Sequence, residues 1–262
     1  MPKRRKGRKN MLDLQKASIF KRISAGIFDF IILVTLAIGL MWGTSSLLNY
    51  KSYAVRLKDR QEFYSEKYGV DFSITAKEYE KLTEEEKELY ETASKEFGED
   101  KEARYVYRMM FNLILIIVTF PILLSYLILE FIVPLLFKNG QTLGKKIFGI
   151  AVMRKDSIRV NGVLMFARTV LGKFTLETMI PLLLIIMMYF GMIGFEGLII
   201  IVGIIFAQFM MLVLTKDRSV LHDKLAQTVT VDMSSQMIFE TTDDLVAYKN
   251  KLQAENAEKA AY

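Results

Sequence analysis

The sequence predicts an all-α membrane protein: a four-transmembrane-helix bundle with a charged helical extracytoplasmic insertion between helices 1 and 2. Three observations predict it. The 262 residues are 52% hydrophobic with a mean hydropathy of +0.25, too apolar for a soluble domain of that length. The apolar residues are clustered into three blocks, Ile23 to Leu48, Met109 to Phe137 and Thr178 to Leu214. Each block is long enough to cross a hydrocarbon core of roughly 30 Å, which takes about 20 helical residues.

The first block gives a span over 23–48 and the second a span over 109–137. The third, at 37 residues, is too long for one crossing. Gly191, Gly194, Glu196 and Gly197 cluster near its middle, so it divides into spans over 174–192 and 195–214. The apolar stretch after the N-terminal basic run is about twice a signal peptide's 7 to 15 residues, and it reads as a retained anchor.

Orientation follows from basic residues near the spans. Residues 1–22 carry nine Lys/Arg against one acid, and 138–173 carry eight against one. Residues 51–108 carry twelve against fifteen. The 1–22 segment and the 138–173 loop are therefore expected in the cytoplasm, and the 49–108 insertion outside. An even number of spans returns the 215–262 tail to the cytoplasm. With short, positive loops and no cysteine, the expected location is a bacterial plasma membrane, multi-pass, with both termini inside.

The net charge of +6 and the run MPKRRKGRKN invite a nucleic-acid reading. A basic run beside a first span is better explained as a topogenic signal that also holds anionic lipid, and no nucleic-acid partner is expected. Zero cysteines and a single histidine, His222, exclude disulfides, thiolate chemistry and most metal sites. No phosphate-binding glycine motif or HExxH occurs, so neither enzyme activity, cofactor nor metal is expected.

In the insertion, Thr75 with Glu78 and Thr83 with Glu86 fit the capping box. Charged helices are expected there, broken near Gly69 to Ser73 and at Gly98. Tyr53, Phe63, Tyr64, Tyr68, Phe72, Tyr79, Tyr90 and Phe97 recur at a spacing suited to packing helix on helix, with a partner-binding cap as the less favoured role. In GQTLGKKIFGIAV, residues 140–152, Leu143, Ile147, Ile150 and Ala151 are spaced for one face of a short interfacial helix, with Lys145 and Lys146 among them. MRKDSIRVNGV then reads as a turn or short hairpin, with Asn161-Gly162 a second turn.

The chain resembles the RDD family of small integral membrane proteins, named for one arginine and two aspartates. The resemblance is carried by ASIFKRISAGIFDFIIL (17–33), GQTLGKKIFGIAV, the Arg168 region and SVLHDKLAQTVTV (219–231). It implies that Arg22 is the arginine and that Asp29 and Asp223 are the aspartates. It also implies a candidate transporter, with cation/proton exchange as the activity suggested for some members. The long insertion departs from the family pattern, as does Ser157, which stands where glycine is expected after the aspartate.

The charges inside the spans carry the functional expectation. Arg22 and Asp29 are two turns apart, on one helix face, and are candidates to pair. Arg22 can snorkel to the headgroups; Asp29, roughly 10 Å deeper, cannot. An ionised carboxylate at such depth costs about 2.5 to 3.5 kcal/mol, so it must face protein or water, or stay protonated. Glu130 lies at a similar depth in the second span, and Glu177 a turn or so shallower in the third. If they meet, the three carboxylates form a site that exchanges a proton for a monovalent cation or a basic side chain, with Arg22, Arg168 and Lys173 as partners.

Asp223 is expected to form a cytoplasmic latch with Lys145, Lys146 or Arg168, on a short helix capped by Ser219 and shared with His222. Two functions remain open. One is a transporter or exchanger, for which a narrow bundle of four spans calls for a homo-oligomer. The other is a non-transporting scaffold or regulatory protein whose buried charges only hold helices together.

Overall fold

The computed structural model describes residues 13–260; MPKRRKGRKN lies outside the described residues. The chain divides into two units, one formed by residues up to Ala37 together with those from Ile122 on, the other by Ile38–Pro121. Among the described residues, four helices are long and apolar enough to cross a membrane: α1 (Ile19–Leu47), a helix over Lys101–Leu136, one over Gly162–Tyr189 and one over Glu196–Leu214. The fourth exposes Ile199, Ile205 and Phe206 by about 60% each. An apolar surface of that kind is stable against lipid and not against water.

The helix ends differ from the expected spans where charge misled the hydropathy reading. The helix over Gly162–Tyr189 starts twelve residues before position 174, because Asn161 caps it by accepting from the Leu164 amide at 2.9 Å. Asn161-Gly162 is thus a helix start and not a turn. The helix over Lys101–Leu136 starts eight residues before position 109, where the Asp100 carboxylate accepts from the Ala103 amide at 2.7 Å.

Within the Ile38–Pro121 unit, α2 (Tyr50–Tyr68) ends at Gly69, whose φ of +66° is a left-handed terminus that glycine adopts freely. The short α3 (Ala76–Tyr79) and α4 (Glu84–Glu99) both begin with complete capping boxes, from Thr75 with Glu78 and from Thr83 with Glu86. Gly98 lies inside α4, and the break expected there falls instead at Asp100. Tyr64 against Phe97, Phe72 against Tyr90 and Phe97, and Tyr79 against Tyr90 join these elements at centroid distances of 5.2 to 5.8 Å. Arg60 pairs with Asp100, which also accepts from the Tyr64 hydroxyl at 3.1 Å. Thr83→Ala removes one reciprocal cap and is expected to destabilise α4 by about 1 kcal/mol. Hydrogen exchange should then quicken at the first amides of α4 and stay unchanged in α2; equal protection in both proteins would contradict the cap's role.

The other unit contains α5 (Lys101–Leu136) from Ile122 on, α6 (Leu143–Ile147), β1 (Ile150–Arg154), α7 (Gly162–Tyr189), α8 (Glu196–Leu214), α9 (Leu221–Leu225), β2 (Thr228–Asp232) and α10 (Thr242–Ala260). The two strands correct the all-α expectation. They pair antiparallel, Ile150 opposite Asp232 through Arg154 opposite Thr228. Alternation divides their side chains: Ala151, Met153, Val229 and Val231 form one core, while Val152 packs with Val160 and Met165. Ile150 and Ala151 are therefore strand residues, not the end of the face begun by Leu143, and the break falls at Gly149 with φ +63°. The expected hairpin turn is present, its tight point at Ser157, where φ is +68° and glycine would be relaxed.

Among the described residues, two stretches are π-helical, Leu127–Ile132 in α5 and Ala167–Met179 in α7. Such turns insert an extra residue and recur at functional positions. Glu130 lies in the first; Arg168, Lys173 and Glu177 lie in the second.

Candidate functional site

The charged residues at the start of α1 are separated by their partners. Arg22 does not pair with Asp29. Its Nη2 lies 2.7 Å from Asp223 Oδ2, and its Nη1 donates to the Arg218 carbonyl. Arg168 donates from Nε and Nη2 to Asp223 Oδ1 at 3.1 and 2.9 Å. Asp223 is fully buried, as is Arg168. Burial alone would raise the Asp223 pKa, but the guanidinium groups of Arg168 and Arg22 outweigh it and hold the carboxyl well below its usual range.

Of the partners expected for Asp223, only Arg168 is in place. Lys146 instead sits over the Phe137 ring, 3.9 Å from its centroid, and Lys145 turns into the bundle. Ser219 does not cap α9, whose N-cap is Val220; the Ser219 hydroxyl donates to the Thr228 carbonyl at 3.5 Å.

Asp29 meets the start of α6. Its Oδ1 accepts from the Gly144 amide at 2.7 Å, and its Oδ2 accepts from the Thr142 hydroxyl. Thr142 also caps α6 through the Lys145 amide. Lys145 Nζ lies 3.1 Å from Thr142 Oγ1, 3.7 Å from Asp29 Oδ2 and 3.9 Å from Glu130 Oε2. Glu130 is only 3% exposed. Its Oε1 pairs with Lys173 at 2.6 Å, while its buried Oε2 has no hydrogen-bond partner among the described residues. Pro134 offers no amide to the Glu130 carbonyl four residues back, and Thr169 Oγ1 donates to that carbonyl at 2.8 Å.

Glu177 pairs with His222, whose Nδ1 lies 2.8 and 2.9 Å from its two oxygens and whose backbone amide donates to it at 3.2 Å. Burial, with Arg168 nearby, pushes the His222 imidazole below its ordinary pKa. A neutral ring with Nδ1 protonated donates to Glu177. The close packing that sets this pair leaves no room for a side chain at Gly172, where a Cβ would stand 2.5 Å from that of His222.

Arg22, Asp29, Glu130, Lys145, Arg168, Lys173, Glu177 and His222 all line one cavity of about 310 Å³, with Phe30 and Leu33 of α1 and Leu212 of α8 among its apolar lining. Asp29, Glu130 and Glu177 thus share a cavity, but a cationic or imidazole side chain stands at each. With Asp223 beneath, four carboxylates face four cations around a neutral imidazole, so the network carries no net charge. Lys145, Thr142, Gly144 and the His222-Glu177 pair are the members whose place sequence reasoning missed. The run Gln141-Thr142-Leu143-Gly144-Lys145 held the signal, a capping threonine with a glycine amide and a lysine one turn on.

The fold and site define a multi-pass helical membrane protein with a charge-balanced cavity between its helices. The RDD family model matches residues 16–227, and the chain belongs to the RDD family. The matched segment begins before Arg22 and ends beyond Asp223, so every charged residue of the cavity lies within it. No curated protein and no solved structure matches the chain.

Proposed function

We propose that this RDD-family protein is a transporter that exchanges a monovalent cation for a proton through the cavity lined by Asp29, Glu130 and Glu177. The observation that carries this reading is Glu130: a buried carboxylate with one oxygen that lacks a hydrogen-bond partner among the described residues, at a cavity that charged side chains line, between helices that are otherwise lipid-compatible. Intramembrane carboxylates beside a cavity are the chemistry of ion and proton pathways. In this reading the cavity lies on the cytoplasmic side of a bacterial plasma membrane, the 49–108 insertion is extracytoplasmic, and a homo-oligomer completes the path. The basic inner face binds anionic lipid.

The experiment is flux in proteoliposomes carrying an internal pH-sensitive dye, pulsed with sodium, potassium or lithium. Wild type is expected to move protons on the cation pulse, and folded Asp29→Asn to reduce that movement at least tenfold. Inserted, folded wild type that moves no protons with any of the three cations would rule the exchanger out.

The scaffold reading has its own support in the Arg22-Asp223-Arg168 cluster, in which both guanidinium groups reach one buried carboxylate. Those three side chains act as a brace in either reading. A scaffold, unlike an exchanger, would lose assembly and not flux when Asp29 is changed.

A further inference from the structure

The exchange reading leaves open which group gives up the proton, and the carboxylates are the obvious choice. Their surroundings argue otherwise. Glu130 faces Lys173 at 2.6 Å, and Asp29 accepts from a hydroxyl and an amide, so both carboxylates already have close donors. Lys145 is the group whose charged form is poorly served. Its ammonium has three donors, yet among the described residues it makes one hydrogen bond, to the Thr142 hydroxyl. Both carboxylates it faces stand beyond hydrogen-bond distance, at 3.7 and 3.9 Å, and one of those oxygens is the unpartnered Oε2 of Glu130.

We propose that Lys145 is the proton carrier of the cavity: its ammonium occupies the position between Asp29 and Glu130 that a monovalent cation takes when Lys145 releases its proton to water. The proposal rests on the exchange reading above. In the step, one N–H bond of the ammonium breaks, its electron pair stays on Nζ as a neutral amine, and the proton leaves with water. The cation then accepts oxygen lone pairs from Asp29 Oδ2 and Glu130 Oε2. One positive charge replaces another, so the cavity stays neutral and the exchange is one for one.

The charged groups facing Lys145 come from each helix packed on it: Asp29 from α1, Glu130 from α5, Arg168 and Lys173 from α7. Burial, with Lys173 and Arg168 adding to it against the two carboxylates, pushes the lysine down to about 8. Below that pH the site is filled by the ammonium and cation binding must displace a proton; above it the site is open. Cation affinity should therefore rise about tenfold per pH unit up to pH 8 and level off beyond it.

The test uses the purified full chain in detergent, in weak buffer, with sodium, lithium or potassium chloride added and choline chloride as control. Wild type is expected to release close to one proton per chain at pH 7 and almost none at pH 10. Lys145→Arg, whose guanidinium keeps its charge throughout this range, is expected to lose both the release and the cation-dependent rise in melting temperature. Lys145→Gln is expected to keep the rise in melting temperature and to lose its dependence on pH between 7 and 10. Proton release by wild type that peaks below pH 6 and vanishes above it would assign the proton to a carboxylate and overturn the Lys145 role, leaving exchange intact. Proton release by Lys145→Arg equal to that of wild type would overturn the role in the same way. No response of folded wild type to any cation at any pH would overturn the exchange reading itself, and this proposal with it.

Discussion

Replacing Asp223 with asparagine is expected to destabilise the folded protein by roughly 3 to 5 kcal/mol, the usual consequence of removing one partner from a buried ion pair. The reason is local. Arg22 and Arg168 both direct guanidinium nitrogens at this one carboxylate, at 2.7 and 2.9 Å, and Arg168 is itself buried. An amide in its place leaves two positive charges facing each other with no negative charge between them. Thermal unfolding followed by size-exclusion chromatography in detergent should show the loss directly. Adding Arg168→Met to Asp223→Asn should recover part of it, because the double variant buries one uncompensated charge fewer; no recovery would mean that Arg168 is not paired there. The pH dependence has a definite sign. The Asp223 carboxyl is held below its usual range, so its contribution is fully present above the ordinary carboxylate value near 4 and disappears as pH falls toward the folded-state value. Asp223→Asn should flatten stability over that acid window.

The sequence made the spans legible and their ends illegible for one physical reason. A hydrocarbon core demands about 20 apolar residues, which hydropathy registers without knowing any contact. Arg168, Lys173 and Glu177 sit inside α7, where the same hydropathy argues against a span, and they are tolerated because Asp223, Glu130 and His222 meet them. That compensation is tertiary, so the expected third span began at 174 and the helix begins at 162. The strand pair escaped for a related reason. Ile150–Arg154 and Thr228–Asp232 are five residues each and far apart in the chain, and each is too short to declare a period by itself.

The candidate site was legible as a set of charged residues inside the apolar blocks and illegible as a set of pairs. A rise of 1.5 Å per residue put Asp29 and Glu130 at one level, and both line the cavity. Helix rotation and the path of the 138–161 loop decide who meets whom, and neither is written in one span's sequence. Arg22 and Asp29 share a helix face, yet one reaches down to α9 and the other across to α6. The spacing around Lys145 predicts an interfacial helix and says nothing of its partners; α6 packs its glycine on α1, and that contact carries Lys145 between two carboxylates.

Gly144→Ala tests that contact and is expected to have the second largest effect. A Cβ at Gly144 would stand 2.4 Å from the Ala25 carbonyl oxygen and 2.9 Å from Asp29 Oδ1. The first obstacle is backbone, in a long helix that cannot give locally, so α6 must move away from α1. Overpacking of this kind costs about 1 to 3 kcal/mol. The move also breaks the Gly144 amide bond to the Asp29 carboxylate, and hydrogen bonds to charged groups contribute about 1.5 to 3 kcal/mol. The two losses share one displacement and do not simply add, which places the expected total near ~3 kcal/mol. Gly26→Ala is the matched control, one residue from the contacted carbonyl on the same helix but with nothing within 4 Å of its Cβ, and it should lose no stability and gain up to about 1 kcal/mol from helix propensity. Melting temperatures of the three proteins in one detergent decide between the two outcomes. A Gly144→Ala protein as stable as Gly26→Ala would mean that α6 does not rest on α1. Asp29 would then lose its anchor, and Lys145 its place beside it. A large loss at Gly144 alone would tie the position of the cavity's lysine to a single close approach of backbone to backbone, and would explain why a glycine stands directly before it.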